Sequence, residues 1–570
     1  MRHVVVLALL AACATRPSSR GRGDTDAPDD AAIAQAARRY VDLIVETSPE
    51  TATALGLCTR EADLDDRTAA GVEEALSRKQ GMLAELRDRF ARPKASRAAL
   101  VDLALIEHAL DVDTHVQRAI RPHERRPDFY TAPMQALYLM TARDYAPARE
   151  RAGNLLARVE KIPGVVAAAR ANLGKPPRVW TQIGIEQAES AQTFFQEQRA
   201  FLLQALPQEQ ARIDAAVAAA QRAYADYRKF LEEVVLPRST GEFAAGKELF
   251  DFLLHEDYFL DGGADRLLAL GRALMHKTQA QLTEVARRID PTSSWPAVLA
   301  RLKANHPPAA GLLDAYRTEV RRARDFLVAK DAFEFPPGDT LDVVWTPVFA
   351  RSTITAAYDQ PPPFGESTKG LFFVTPVDAS LPPDEQAAML REHNHGDLVD
   401  TAVHEAYPGH HLQLSFARLH PSLIRRVVAS AIFPEGWALY AEELMAEMGY
   451  YTDEERLLQL QWTLVRAARI VLDIGLHTQG MSFEEAVRIL TDEVHLERPL
   501  AQSEVKRYTQ SPTQPLSYLV GREAIFAMRD RYLGRCEPSL RSACLKSFHR
   551  ELLSHGSIPP TLVEREMFGN

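Results

Sequence analysis

The chain has 570 residues, of which 46% are hydrophobic and 25% are charged, and this composition is that of a globular protein with a large core. It excludes a disordered, collagen-like or fibrous chain. The 67 basic and 77 acidic side chains give a formal net charge of −10, and no dense basic segment occurs, so we expect no nucleic-acid partner. Glycine (28) is scarcer than proline (35), which favours helices over turn-rich β-structure.

Residues 1–13 have the pattern of a lipoprotein signal peptide. After a basic start, Val4–Ala12 is an apolar run of nine residues, too short to cross a bilayer, which needs about 20. The run ends in Leu-Ala-Ala-Cys13, which resembles a bacterial lipobox, so we expect Cys13 to be lipidated. Residues 14–30 are polar and predict a flexible tether. Because Ala14 rather than Asp follows the cysteine, we expect a lipid anchor in the cell envelope, at the outer membrane.

Residues 31–570 predict one large, mostly α-helical unit, with lobes around a cleft. Apolar residues recur at helical spacing in the segments Ala31–Thr47, Thr68–Arg92, Ser96–Val116, Tyr145–Leu173, Gly184–Leu206 and Gln208–Val235. The β-branched and aromatic segments Leu341–Thr355 and Gly370–Val377 differ and predict a small β-sheet near residues 341–377. Helical patterns resume at Asp384 and continue to the C-terminus.

Three cysteines remain after Cys13. Cys536 and Cys544 are close enough in the chain to bridge a short loop in an oxidising compartment, so we predict a disulfide between them. Cys58 then has no partner, and we expect a buried thiol.

Six of the 17 histidines fall within 28 residues. They are His393, His395, His404, His410, His411 and His420. Clustered imidazoles commonly form transition-metal sites. His404-Glu405 matches the first half of the zinc-protease helix signature, in which the glutamate is the general base and a second histidine follows four residues after the first. Pro408 occupies that position here, so the standard motif fails.

Pro408 cannot donate to the helix, so the helix must bulge or break, and Gly409 tolerates the resulting backbone. A two-residue bulge would bring His410 to the place of the missing second histidine. His411 returns to the face of His404 but lies about 10.5 Å further along a regular helix. We therefore favour His410 as the second metal ligand and keep His411 as the alternative.

The resulting pattern, His-Glu-x-x-x-Gly-His, is similar to those of two metallopeptidase families. Thimet-type oligopeptidases carry His-Glu-x-Gly-His, and the dipeptidyl-peptidase III family carries His-Glu-x-x-Gly-His with a bulge. Related helical zinc peptidases take a third ligand, a glutamate, from the next helix, which implies Glu435 here, with the fourth position left for water. Glu442 or Glu443 would support a ligand histidine. We expect His393, His395 and His420 at the surface or in loops.

Three motifs follow one another: HEAYPGHHLQ from His404, FPEGWALYAEEL from Phe433 and RYTQSPTQPLSYLVGREAI from Arg507. Together they resemble the bacterial family named domain of unknown function 885, whose members are regarded as zinc metallopeptidases of the gluzincin type. The resemblance covers about residues 31–570 and implies a helical fold with a deep central channel, a Zn²⁺ ion and peptide hydrolysis.

The same resemblance implies roles for three further residues. Tyr508 and Tyr518 would lie on the far wall of the cleft and donate hydrogen bonds to the oxyanion. His477, in Asp-Ile-Gly-Leu-His, would be a further oxyanion donor or a subsite residue.

The sequence therefore predicts a zinc-dependent peptidase that cleaves short unstructured peptides, with Glu405 as general base. Two other classes stay open. One is a catalytically inactive envelope lipoprotein that binds peptides or proteins in the same channel, and the intact His404-Glu405 pair argues against it. The other is a non-peptidase metal-dependent amidohydrolase. The sequence defines neither the scissile bond nor the oligomeric state.

Overall fold

The computed structural model describes residues 27–351, 354–428 and 430–569. The predicted signal peptide, the predicted lipidation site Cys13 and nearly all of the predicted tether lie outside these residues. Within them the protein is mostly α-helical with one small sheet, as the sequence predicted. None of the helices described is both long enough and apolar enough to cross a membrane.

The first part of the chain forms nine helices within the described residues. They are α1 (Asp30–Thr47), α2 (Pro49–Leu55), α3 (Ala69–Arg89), α4 (Arg97–Ile120), α5 (Pro122–Arg125), α6 (Pro133–Ala142), α7 (Ala148–Asn172), α8 (Arg178–Ala205) and α9 (Gln210–Phe230). The six helices predicted in this part are confirmed, with ends that differ by a few residues. The hydroxyls of Thr68 and Ser96 cap α3 and α4 by accepting a backbone N–H. Helices α6–α9 enclose a hydrophobic core of their own.

The helices around the sheet and after it contribute to two further hydrophobic cores, one of which they share with α1, α3 and α4. They are α10 (Lys247–Glu256), α11 (Gly263–Ile289), α12 (Trp295–Lys303), α13 (Leu312–Lys330), α14 (Pro383–Arg391), α15 (His395–Glu405), α16 (His410–Ala417), α17 (Leu423–Val427), α18 (Ile432–Glu447), α19 (Asp453–Thr478), α20 (Phe483–Arg488), α21 (Arg498–Gln510), α22 (Gln514–Leu533), α23 (Arg541–Ser554) and α24 (Pro560–Phe568).

The sheet has three strands in the order β1-β3-β2, where β1 is Thr340–Trp345, β2 is Ala356–Asp359 and β3 is Lys369–Val374. Strand β1 is parallel to β3, and β2 is antiparallel to it. The sheet lies where the sequence placed it, but Leu341–Thr355 is not one strand. Pro347 has no N–H to continue the ladder, so β1 ends before it, and the short edge strand β2 was missed.

Helix α19 runs through the interior and positions much of the candidate site. It packs against α11, α15 and α22, and nearly every residue from Leu457 to His477 is buried. A capping box fixes its start, because Thr452 accepts from the N–H of Glu455 and the Glu455 carboxylate accepts from the N–H of Thr452. Charged residues inside such a helix need partners or a function.

Cys536 and Cys544 are joined by a disulfide, with their Cα atoms 6.5 Å apart. The bond links the residues that follow α22 to α23. Cys58 has a free thiol and is exposed, so the expectation that it is buried was wrong.

Candidate metal centre

The His-Glu motif lies at a break between two helices. Helix α15 ends at Glu405 and α16 begins at His410. Across the break, the N–H of Gly409 donates to the carbonyl of Val403 (3.0 Å), six residues earlier instead of the four of a regular helix. The N–H of Leu412 donates to Ala406 with the same spacing (3.4 Å). The chain therefore contains two extra residues, as the predicted bulge requires.

Close packing determines the shape of the bulge. The Tyr407–Pro408 peptide bond is cis, and the indole N–H of Trp437 donates to the Pro408 carbonyl (2.8 Å). A Cβ atom at Gly409 would lie 1.9 Å from the carbonyl oxygen of His404. Position 409 therefore accepts only glycine without movement of the backbone.

The bulge brings together the three predicted ligands. Nε2 of His404 lies 3.7 Å from Oε2 of Glu435, and Nε2 of His410 lies 3.3 Å from the same oxygen. The two imidazole rings are nearly perpendicular, with centroids 4.8 Å apart. Ligand atoms of His404, Glu405 and His410 also lie within 4.8 Å of one another. Oε2 of Glu435 is buried and has no hydrogen-bond partner among the described residues.

Glu442 contacts the candidate ligand His404 through the ring nitrogen that points away from the centre. Its Oε1 lies 2.7 Å from Nδ1 of His404, and its other oxygen accepts from Gln459 (3.2 Å). A carboxylate on Nδ1 leaves Nε2 free to face the centre, which is the usual arrangement behind a metal-binding histidine. Its neighbour Glu443 instead pairs with Arg456 at 2.9 Å, away from the centre.

The electrostatics of the centre suit a cation. Burial alone would lower the pKa of His404, but the nearby carboxylates of Glu435 and Glu442 raise it to about 10. Burial would raise the pKa of Glu435, yet the nearby imidazoles of His404 and His410 bring it well below its ordinary value. Two imidazole nitrogens and an unpartnered carboxylate oxygen form a donor set that fits Zn²⁺.

His411 is turned away from this centre. It is fully buried, its Nδ1 lies 2.9 Å from the hydroxyl of Tyr358, and its Nε2 lies 3.5 Å from a carboxylate oxygen of Asp339. The structure therefore gives no support to His411 as the alternative ligand.

The centre opens into a cavity of about 260 Å³, which corresponds to the predicted cleft. Glu405 and Tyr518 line it together with the three candidate ligands. The ring of Tyr518 stacks on that of His404, with centroids 6.2 Å apart, and its hydroxyl accepts from Gln514 at 3.3 Å. Tyr518 therefore lines the cavity beside His404.

Tyr508 and His477 are not among the residues that line the cavity, so the structure does not support the roles expected for them. The hydroxyl of Tyr508 is fully buried, donates to Glu504 and accepts from Nε of Arg469 (2.9 Å). Nε2 of His477 donates to the Tyr508 carbonyl (2.9 Å), and its Nδ1 accepts from the N–H of Ala245 (3.2 Å). With these partners occupied, neither side chain can reach an oxyanion.

The other histidines of the cluster are not alike. His395 is exposed and His420 is half-buried, as expected for surface or loop positions. His393 is buried, its Nδ1 lies 3.0 Å from the hydroxyl of Tyr316, and burial lowers its pKa to about 4, so for this residue the expectation was wrong.

Sequence reasoning missed one wall of the cavity. Arg466 and Arg469 of α19 and Arg507 of α21 line it on the side of Tyr518. A signal was present, because Arg466 and Arg469 are separated by one turn in an otherwise apolar stretch of α19. It also missed β2, whose residues Ala356 and Ala357 line the cavity.

The fold and site together define a mostly helical protein with a candidate metal centre in a partly open cavity. Residues 49–567 match the family described as "Bacterial protein of unknown function (DUF885)", and the chain belongs to that family. No curated protein matches the chain.

Two solved structures share the fold. A candidate lipoprotein of unknown function from Shewanella oneidensis is 25% identical, with a TM-score of 0.75 over 94% of this chain and 99% of that chain. A candidate lipoprotein from Colwellia psychrerythraea is 18% identical, with a TM-score of 0.77 over 94% of this chain and 98% of that chain. Their descriptions agree with the lipobox that ends at Cys13.

Proposed function

We propose that this DUF885 protein is a zinc-dependent peptidase whose metal is held by His404, His410 and Glu435. One observation carries the proposal. The two Nε2 atoms approach the same Glu435 oxygen, which is buried and unpartnered. An unpartnered buried carboxylate oxygen is costly, and a cation would remove that cost.

A bound zinc ion would supply Lewis-acid polarisation of a water molecule and of the substrate carbonyl. Glu405 directly follows the ligand His404 and lines the cavity. It is the general base, which takes a proton from the attacking water and passes it to the leaving amine. Glu442 holds the imidazole of His404 in the tautomer that leaves Nε2 free.

Tyr518 is the donor to the oxyanion in this proposal. Burial, and then the nearby Glu435 carboxylate, raise its pKa, so the hydroxyl keeps its proton and can donate a hydrogen bond. Its stacking on His404 holds the ring beside the metal position.

The edge strand β2 favours a peptide as substrate. Among the described residues it pairs with β3 on one side only, and it lines the cavity. An extended peptide can add to such an edge through main-chain hydrogen bonds. A cavity of about 260 Å³ is too small for a folded domain, so the substrates are short unstructured peptides.

We place the enzyme in the bacterial cell envelope, anchored by lipid at Cys13 to the outer membrane. The lipobox and Ala14 support this localisation, together with the two lipoprotein descriptions among the solved structures. A tether of this length spans roughly 20–25 Å, so the enzyme works close to the membrane surface.

A digest of mixed synthetic peptides tests the proposal. We expect a chelator to abolish peptide turnover and added zinc to restore it. We also expect a test protein to be cleaved when it is offered as unfolded fragments, but not when it is offered folded. Turnover that persists in chelator would contradict the zinc mechanism. Rapid digestion of the folded protein would contradict a site inside the small cavity and leave the zinc mechanism intact.

A further inference from the structure

We propose that Arg466 and Arg469 bind the C-terminal carboxylate of the substrate, so that the enzyme is a carboxypeptidase. This inference rests on the proposed peptidase function and names its substrate class. We call these two residues the arginine pair.

Both guanidinium groups have buried donors without acceptors. Arg466 is 9% exposed, and its Nε and Nη1 have no hydrogen-bond partner among the described residues. Arg469 is 4% exposed, and its Nη1 likewise has no partner there. Unsatisfied buried donors, charged ones above all, are expensive. Because both side chains line the cavity, an anion in the cavity is the acceptor that would satisfy them.

Neighbouring side chains hold the arginine pair in place. Nη2 of Arg469 donates to Glu504 (2.6 Å) and its Nε to Tyr508 (2.9 Å). The guanidinium of Arg466 lies over the ring of Trp462, 4.5 Å from its centroid. The pair is thus oriented before any ligand binds, which limits the entropy lost on binding.

Three arginines and the carboxylate of Glu504 line this wall of the cavity. Arg507 pairs with Glu504 (3.2 Å) and Gln514 (2.7 Å), and Glu504 also pairs with Arg469. Arg466 forms no ion pair with any residue described. The carboxylates of Asp400 and Glu442 interact electrostatically with Arg466 but do not hydrogen-bond to it. A substrate carboxylate can therefore accept the guanidinium N–H donors that remain without a partner.

The position of the pair relative to the metal ligands determines which bond is cut. The ring of Tyr518 contacts both, 6.2 Å from the ring of His404 and 4.5 Å from Cζ of Arg469, so the guanidinium of Arg469 is at most about 11 Å from that ligand ring. An extended residue spans at most about 3.3–3.6 Å. A peptide whose last carboxylate rests on the pair therefore presents a bond about one to three residues from its C-terminus.

In that reaction water adds to the carbonyl carbon and the C–N bond breaks. The acyl part ends in a new carboxylate, and Glu405 relays the proton from water to the nitrogen of the short leaving fragment. The carboxylate of that fragment stays on the arginine pair until the fragment is released.

A matched pair of peptides, identical except for a C-terminal carboxylate or carboxamide, tests the inference. We expect kcat/KM to favour the acid by about 10²-fold, the range for a lost hydrogen bond between charged groups. Mass spectrometry of the products should show fragments of one to three residues released from the C-terminus. A carboxamide peptide that ends in aspartate should react slowly as well; rapid cleavage would mean that the site takes a side-chain carboxylate instead.

The variant Arg466→Met should bring the acid-to-amide ratio towards one, and Arg466→Lys should give an intermediate ratio, because lysine keeps the charge but loses the planar fork. Arg498→Met is the matched control. Arg498 lies on the exposed side of α21, paired with Glu484 at 3.0 Å, and its replacement should leave the wild-type ratio.

The outcomes separate the two proposals. Equal cleavage of acid and amide, or cleavage in the middle of long peptides, would overturn the carboxylate site and leave the peptidase standing. If no peptide is cleaved, the proposed function fails, and calorimetry with the same two peptides still decides the inference. Tighter binding of the acid supports the arginine pair as its site, and equal binding overturns it.

Discussion

Nδ1 of His404 lies 2.7 Å from Oε1 of Glu442, and both side chains are buried. The carboxylate comes from α18, seven residues or about two turns after Glu435 in the same helix. One helix therefore provides both a candidate ligand and the group that orients another ligand.

Glu442→Gln should weaken zinc binding by about 10–100-fold, because the imidazole loses the charged partner that raises its basicity and fixes its tautomer. A competition titration against a chromophoric chelator measures the change. Glu443→Gln is the matched control, since Glu443 pairs with Arg456 outside the centre, and its zinc affinity should equal that of the wild type. Equal affinity in both variants would remove the supporting role of Glu442.

Glu405→Gln should separate metal binding from catalysis. A general base is not a ligand, so zinc should stay bound while kcat falls by about 10²–10⁴-fold, the usual loss of acid–base help. Metal content and peptide turnover are measured on the same sample. If the variant loses its zinc, Glu405 is a ligand and the roles assigned here are wrong.

Gly409→Ala should damage both the fold and the metal centre. The new methyl group would meet the His404 carbonyl oxygen at 1.9 Å, so the bulge must open and move His410. Thermal unfolding and zinc titration report the two effects. Gly164→Ala is the control, since nothing lies within 4 Å of a Cβ there; in helix α7 alanine should stabilise the protein by about 0.4–1 kcal/mol. Wild-type zinc affinity in Gly409→Ala would contradict the proposed role of the bulge.

The stability of the protein should fall as the pH drops from about 6.5 towards 5. Burial lowers the pKa of His477 to about 4. In this pH range the imidazole is therefore protonated in the unfolded chain but stays neutral in the folded protein, which favours unfolding. The free energy of unfolding falls here because folding requires His477 to be neutral. His477→Gln should reduce the pH dependence of the unfolding midpoint, whereas the exposed His395→Gln should leave it unchanged. If the unfolding midpoint of His477→Gln depends on pH as strongly as that of the wild type, His477 is protonated in the folded protein and the prediction is wrong.

Much of the candidate centre could be predicted because its signal is local. His404, Glu405 and His410 lie within seven residues, and Pro408 predicts a distortion from its missing N–H alone. The helices were predictable for the same reason, since helical periodicity is a short-range pattern.

The errors arose where distant parts of the chain meet. His477 accepts from Ala245, a backbone group more than 200 residues away, and nothing near it in sequence indicates that contact. A role for Arg466 and Arg469 in the site becomes visible only in the structure, where α19 lies beside the cavity. Strand β2 is too short to show alternation, and it forms because β3 offers it an edge.

Zinc content is the measurement that tests the proposed centre most directly. Mass spectrometry of the metal in the purified protein should find about one zinc per chain, and His404→Ala should lose it, while the exposed His395→Ala should retain it. Full zinc retention in His404→Ala, or a wild-type protein that binds no zinc, would contradict the centre formed by His404, His410 and Glu435.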